Sequence, residues 1–329
     1  MAKKKYRLKK GPKIFLFLLV ILSVLGYFGY TKYKEYVYHQ SAEYKLLTLG
    51  YTNEDVELFE KKLTEDELDK LVTYQYNEFV PSFVKEKYFL FKNLDGYLSK
   101  VVTKDQDFFK YKGVEGYKYD SIVAQVNTRA IDTPYENPTA TKLEKGYGIL
   151  VNKFNYLPED YEPDDLVSVP IKYYYGSAKQ IRQEAYDAFV EMWDAANQEG
   201  IYLVIVSAYR NGKDQKEAYD YYANLKGTSY ADTIAARPGY SEHQTGLALD
   251  IYSKDNTVAN TFKDSEAYKW LINNCYKYGF ILRYPEGRST LTGYNYESWH
   301  YRYVGKELAK KVHDEGITFD EYYAFYLDK

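Results

Sequence analysis

Residues Ser241–Asp250 read SEHQTGLALD, and residues Glu297–His300 read ESWH. The first segment runs from a Gly- and Ser-containing approach, RPGYSEHQTG, into a short apolar stretch, LALDIY, with the length and content of a buried strand. Asp250 stands inside that stretch, amid Leu247, Leu249 and Ile251. A carboxylate there needs a strong partner, because an unpaired buried charge is costly. The second segment opens another apolar run, WHYRYV, with His300 beside Trp299. The chain has four histidines, and two of them fall here. His243, Asp250 and His300 offer two imidazoles and one carboxylate to a metal ion. Three protein ligands with an open fourth position make the arrangement of a catalytic zinc site. Glu297, three residues before His300, is placed as its general base. Each residue alone is better explained as a satisfied core group; the four together read as a metal centre.

The surroundings of these segments alternate between helix and strand patterns. Ile181, Ala185, Ala188, Phe189, Met192 and Ala196 fall on one helical stripe, which Gly200 stops. IYLVIVS is a short, fully apolar strand. A turn at Asn211-Gly212 follows it, then a second helix to about Leu225. Asp264–Tyr278 reads as a helix closed by Gly279, followed by FILRY as a strand. WHYRYV is a further strand, and Thr318 with Glu321 caps a last helix. Strands and helices are mixed without strict βαβ alternation, so the class is α+β. Arg210 follows the first strand, in SAYRNG. A loop arginine is usually a surface charge, but beside a zinc site it suits a substrate carboxylate or an oxyanion.

Farther out, residues 121–175 carry SIVAQVNT and YGILVNKF, which read as short β-type runs, separated by the turn-rich DTPYENPTATKLEKG. Pro158, Pro163 and Pro170 punctuate a loop-like approach to the next unit. Residues 31–120 are polar, rich in Tyr and Lys, and helical in pattern. Thr52 with Asp55, and Thr64 with Glu67, fit capping boxes, and ELFEKKLTEDELDKLV reads as two short helices joined near Thr64. No chemistry is visible in this region; a stalk, a small helical module and a cell-wall contact all fit it.

At the N-terminus, Ile14–Tyr30 (IFLFLLVILSVLGYFGY) is 17 residues without a charge, near the lower limit for a spanning helix. Residues 1–13 hold seven Lys and Arg and no acid. That asymmetry places the N-terminus in the cytoplasm and the rest outside. A cleaved signal peptide shares the basic and apolar parts. Here, however, bulky aromatics (GYFGYTKYKEY) stand where a small-residue cleavage site is expected, which favours an uncleaved anchor in the bilayer. The organisation expected is a basic tip (1–13), a transmembrane anchor (14–30), a helical stalk or module (31–120), a linker (121–147) and a zinc domain (148–329).

Composition narrows the function classes. Net charge is −3; without the seven basic residues of the tip, 37 basic face 47 acidic residues, about −10. An acidic body argues against a nucleic-acid partner. The single cysteine, Cys275, excludes an intramolecular disulfide. It shares a helical stripe with Ala267, Leu271 and Tyr278, so it reads as a small buried apolar residue. His39 and His313 read as ordinary surface residues.

SAYRNGKDQ, SEHQTGLALD, GFILRYP and ESWHYRYVG, in this order, resemble the motifs of VanY-type D-alanyl-D-alanine carboxypeptidases and their L,D-carboxypeptidase relatives. LVNKFNYLPEDYEPDDLV resembles the usual lead-in to that domain, and the resemblance covers about residues 148–315. It implies a compact zinc-peptidase domain with a small antiparallel sheet flanked by helices. It also implies one Zn2+ held by His243, Asp250 and His300, with Glu297 as catalytic base and Arg210 assisting the transition state or binding substrate. Gln215, Ser241 and Tyr284 match positions that contact a terminal D-alanine. The implied reaction removes that residue from peptidoglycan stem peptides, by the D,D or the L,D route. An endopeptidase and a non-catalytic zinc-bearing wall-binding module are the competing readings.

Overall fold

The computed structural model describes residues 10–101, 118–158 and 160–328. The start of the basic tip, residues 1–9, and part of the region read as helical, 102–117, lie outside the described residues. The chain divides into two compact units, Met1–Tyr119 and Asp120–Lys329.

The first unit begins with helix α1 (Lys10–Gln40). At 31 residues it is roughly 46 Å long. The side chains from Ile14 to Tyr30 are all exposed, and α1 is long and apolar enough to cross a membrane. The helix does not stop at Tyr30, where the uncharged run ends; it continues ten residues further to Gln40. Five short helices follow: α2 (Ala42–Leu49), α3 (Asn53–Lys62), α4 (Glu65–Leu71), α5 (Val80–Lys85) and α6 (Leu94–Leu98). Both expected capping boxes form. The Thr52 and Thr64 hydroxyls accept from the Asp55 and Glu67 backbone N–H groups, and the two carboxylates accept in return from the cap backbones. Leu46, Val56, Phe59, Leu71, Val80 and Leu94 make the core of this module.

The second unit opens with α7 (Tyr119–Asn127). This corrects the β-type reading of SIVAQVNT. Its apolar run is too short for periodicity to separate strand from helix, and Ile122 with Val123 is buried on a helix instead. YGILVNKF (147–154) is likewise mostly irregular: its first two residues end a 3-10 stretch, Leu143–Gly148, and the short strand Asn155–Tyr156 begins just after it. That short strand, β2, pairs in parallel with β1 (Thr139–Ala140). The stretch read as a linker, 121–147, is therefore part of the second compact unit. Strands β3 (Leu166–Ser168) and β4 (Gln180–Arg182) form an antiparallel pair, and α8 (Gln183–Gln198) follows with Ala185, Ala188, Phe189, Met192 and Ala196 buried.

The central sheet has four antiparallel strands: β5 (Leu203–Ser207), β6 (Ala248–Ser253), β7 (Phe280–Leu282) and β8 (His300–Tyr303), in the spatial order β5-β6-β8-β7. Helices α9 (Gly212–Lys226) and α10 (Thr228–Ile234) lie between β5 and β6 in the chain. Helices α11 (Ala259–Phe262) and α12 (Glu266–Asn274) lie between β6 and β7, and α13 (Ser289–Thr292) between β7 and β8. Helices α14 (Lys306–Glu315) and α15 (Phe319–Tyr322) close the chain, the latter behind the expected Thr318–Glu321 capping box.

Strand alternation divides the sheet into two faces. Leu249, Ile251, Tyr301, Tyr303 and Phe280 enter the main core with Phe189, Met192, Trp270 and Leu271. Ile281 and Val304 turn the other way, onto Ala309, Val312 and Phe319. By the same period of two, Asp250, His300 and Arg302 belong to that second face.

Gly279 links α12 to β7 with φ +87°. A Cβ there would lie 2.6 Å from a Tyr303 ring carbon and 3.1 Å from the Gly305 backbone. Gly279→Ala is expected to cost about 2–4 kcal/mol, from the left-handed backbone and the overlap together. Urea unfolding of the variant against wild type checks this.

Candidate metal centre and cavity

Asp250 and His300 are direct cross-strand partners, β6 to β8. Residues opposite each other on an antiparallel pair present their side chains to the same face, so the carboxylate and the imidazole meet without any loop. His300 Nδ1 lies 3.3 Å from Asp250 Oδ1. His243 arrives from a different element, a 3-10 turn at Glu242–Thr245. Ser241 caps this turn, its hydroxyl accepting from His243 N–H at 3.3 Å. Gly246 closes the turn at φ +67°. All four residues of the turn are buried.

The Ala208 carbonyl, just past β5, sits 2.8 Å from His243 Nδ1. A carbonyl can only accept, so Nδ1 carries the proton and Nε2 keeps its lone pair. That Nε2 is 3.6 Å from Asp250 Oδ1. Ligand atoms of His243, Asp250 and His300 all lie within 4.8 Å of one another. Asp250 Oδ1 is buried and makes no hydrogen bond among the described residues. Two imidazoles and an orphaned carboxylate oxygen converging on one point fit a zinc ion in donor type and number.

The charge balance points the same way. Burial opposes ionisation of Asp250, but His243 and His300 outweigh it and hold the carboxyl well below its usual range. Burial pushes the His243 imidazolium down. Burial also works against a charged His300, yet Asp250 and Glu242 outweigh it and raise that ring to about 9. Glu297 is pushed up to about 8, first by burial and then by the nearby Asp250 and Glu242 carboxylates, against the pull of His300 and Arg210. Glu297 Oε2 lies 3.5 Å from His300 Nδ1. Three carboxylates thus surround two imidazoles, a local excess of negative charge that favours a cation. A divalent ion bound there supplies that charge and needs both rings neutral.

The eight site residues expected from the sequence line one cavity of about 170 Å³: Arg210, Gln215, Ser241, His243, Asp250, Tyr284, Glu297 and His300. Arg210 is half-buried and held from two sides. It donates to Gln215 Oε1 and to Ser207 Oγ, both at 2.9 Å. Gln215 is buried, and its amide also donates to the Ala236 carbonyl at 2.7 Å. Both ends of Gln215 are therefore committed to the protein. Tyr284 packs its ring on His300, 4.9 Å between centroids, and on Tyr294 at 5.0 Å. Tyr222, Ile234, Ala235 and Trp299 supply apolar wall. Cys275 is apart from this chemistry: it is buried, and burial pushes its thiol up to about 12. His313 stacks on Tyr276 and is not among the residues lining the cavity; His39, in the first unit, packs against Tyr44.

Sequence reasoning missed the layer beneath. Glu242, Arg283, Arg302 and Asp320 are all buried, the two arginines at 0% exposure. Arg283 Nε and Arg302 Nη1 donate to Glu242 Oε1 at 2.8 and 3.0 Å. Arg283 also donates to Asp320 Oδ2 at 2.5 Å, and Asn152 donates to Asp320 Oδ1 at 2.8 Å. Arg302 Nη2 reaches the Tyr147 and Ile149 carbonyls. The signal was present as an arginine inside each of two apolar strand runs, FILRY and WHYRYV, which cannot be buried without partners.

Residues 178–306 match the VanY family, described as D-alanyl-D-alanine carboxypeptidase. A D-alanyl-D-alanine carboxypeptidase of Enterococcus faecalis is 36% identical over 211 residues, which span 59% of this chain and 74% of that relative. The chain belongs to the VanY family of D-alanyl-D-alanine carboxypeptidases. YodJ of Bacillus subtilis, named as a carboxypeptidase candidate, is 46% identical over 179 residues. These cover 53% of this chain and 66% of YodJ, just under two thirds of its length. Among solved structures, that of the LdcB LD-carboxypeptidase aligns with a TM-score of 0.54 and 42% identity, covering 58% of this chain and 91% of that one. Family membership bears out the α+β reading and its small antiparallel sheet. The roles of individual side chains rest on the geometry above.

Arg283 is the hinge of the buried charge layer. Arg283→Met leaves Glu242 with one arginine fewer and Asp320 facing an apolar side chain. The expected loss is about 3–5 kcal/mol, the usual cost of removing one partner from a buried pair. Denaturant unfolding of the metal-free protein measures it.

Proposed function

We propose that this chain is a zinc carboxypeptidase that removes the C-terminal D-alanine from peptidoglycan stem peptides outside the cell membrane. The observation that carries the proposal is the convergence of His243, Asp250 and His300 within 4.8 Å, in a cavity that Glu297 and Arg210 share. Family membership adds the substrate class. One Zn2+ per chain fits the single cluster of three ligands found among the described residues.

When bound, zinc supplies a Lewis acid for the scissile carbonyl and makes an attacking water more acidic. Glu297, beside the ligands and within the cavity wall, accepts a proton as water oxygen bonds to the carbonyl carbon. It then returns that proton to the amine nitrogen as the carbon–nitrogen bond breaks, leaving a shortened peptide and free D-alanine. Arg210 is held in one orientation by Ser207 and Gln215. Its fixed guanidinium suits either the developing oxyanion or the free carboxylate of the terminal residue. Gln215 serves by positioning Arg210, since both its amide ends are engaged within the protein. Ser241 shapes the turn that carries His243, and Tyr284 bounds the pocket beside His300. The small cavity suits a single terminal residue better than an extended chain.

Helix α1 is proposed as an uncleaved membrane anchor. The basic tip before it puts the N-terminus in the cytoplasm and the catalytic unit outside, where peptidoglycan lies.

Digestion of purified muropeptides with the full-length protein, followed by identification of the released fragment, tests the reaction. Free D-alanine is expected; a dipeptide or larger fragment, or no product with every muropeptide, refutes it. Comparing pentapeptide with tetrapeptide stems assigns the D,D or L,D route. Glu297→Ala is expected to keep its zinc and lose nearly all turnover, with metal content and product release read on the same sample. His243→Ala is expected to lose the metal itself.

A further inference from the structure

Glu242 sits directly before His243 in the chain and is among the residues that line the cavity, yet it is 2% exposed. Its two oxygens do different work. Oε1 accepts from both arginines, Arg283 Nε and Arg302 Nη1. Oε2 lies 3.5 Å from His300 Nε2, and neither of these two buried atoms makes a hydrogen bond among the described residues, so each is the nearest group the other has to satisfy it. The opposite ring nitrogen, His300 Nδ1, faces Asp250 and Glu297.

We propose that Glu242 is a positioning residue that sets the tautomer of His300, keeping its proton on Nε2 so that the Nδ1 lone pair is free for the metal. The inference rests on the zinc reading above. An ionised carboxylate has no hydrogen to give, so Oε2 can only accept, and the Nε2 proton is the one donor facing it. Arg283 and Arg302 are what make the choice one-sided. They saturate Oε1 and are locked in turn by Asp320 and by the Tyr147 and Ile149 carbonyls. Glu242 therefore cannot turn its other oxygen inward or leave the ring unpartnered. For His243 the Ala208 carbonyl does the corresponding service at the opposite nitrogen. Outer partners of this kind fix ring orientation and raise ligand basicity.

Glu242→Gln is a nearly isosteric reversal of this polarity. The two arginines still require an acceptor, so the amide oxygen takes the Oε1 place and the NH2 group is turned toward His300 Nε2. Nε2 must then accept, and the ring's proton moves to Nδ1, where it satisfies Asp250 Oδ1 and blocks the metal. Asp320→Asn is the control: it removes one negative charge from the same buried layer without touching His300.

The test uses full-length protein in detergent micelles, with zinc affinity measured by competition against a chelator of known affinity. Glu242→Gln is expected to lose about 10–100-fold in affinity, while Asp320→Asn stays within about threefold. In metal-free, 15N-histidine-labelled Glu242→Gln, the His300 proton is expected on Nδ1. Unchanged affinity in Glu242→Gln, or an equal loss in both variants, overturns the proposal. A wild-type protein that binds no zinc overturns the metal reading and this one with it. Tight wild-type binding that Glu242→Gln leaves unaltered overturns this one alone. Should Glu242→Gln fail to fold, zinc-loaded wild type decides: a His300 proton on Nε2 supports the role, and a proton on Nδ1 refutes it.

Discussion

The direct opposition of Asp250 and His300 across β6 and β8 is the constraint on which the site depends. An antiparallel register puts opposite residues on the same face at close range. The same register turns Leu249, Ile251, Tyr301 and Tyr303 into the main core. A slip of one residue would send both ligands into that core and the apolar set into the cavity. The hydrophobic core and the candidate metal centre are therefore held by one pairing, and neither can shift without the other.

His243 and Arg210 join this pair through backbone rather than through the sheet. The Arg210 N–H donates to the His243 carbonyl at 3.2 Å, and the Ala208 carbonyl receives the His243 ring. The loop after β5 and the turn before β6 are thereby tied into one wall. Beneath them, two arginines and two carboxylates fill the space between the sheet's second face and α15. Such a layer is a weak source of net stability, because desolvation offsets most of its attraction. Its effect is orientation: each member fixes its neighbour's direction, and the outermost one, Glu242, faces His300.

Much of this was legible in the chain. Asp250 and His300 were readable because polar groups in apolar runs need partners, His243 and Glu297 because they stand close to those two in the chain, and Arg210 because it follows a buried strand. A helical stripe made α8 readable, short apolar runs did the same for the four sheet strands, and the capping boxes at Thr52, Thr64 and Thr318 set helix starts. SIVAQVNT misled because eight residues rich in β-branched side chains fit a strand and a helix face equally well, and only its packing decided for α7. The stretch 121–147 looked like a linker because turn formers dominate it. Yet Thr139–Ala140 pairs with Asn155–Tyr156, a contact with no local signature.

The sequence by itself determined which residues could serve as ligands and acids, and which runs would be buried, since both follow from side-chain chemistry and local periodicity. It left Glu242, Arg283, Arg302 and Asp320 as scattered charges, 18 positions apart at the nearest (Arg302 and Asp320) and 78 at the farthest (Glu242 and Asp320). Only the tertiary structure decided that they form one buried layer, that Gln215 holds Arg210, and which nitrogen of His243 and of His300 faces Asp250. The physical reason is that hydrogen-bond direction depends on atoms brought together across the fold, and no spacing along the chain encodes it.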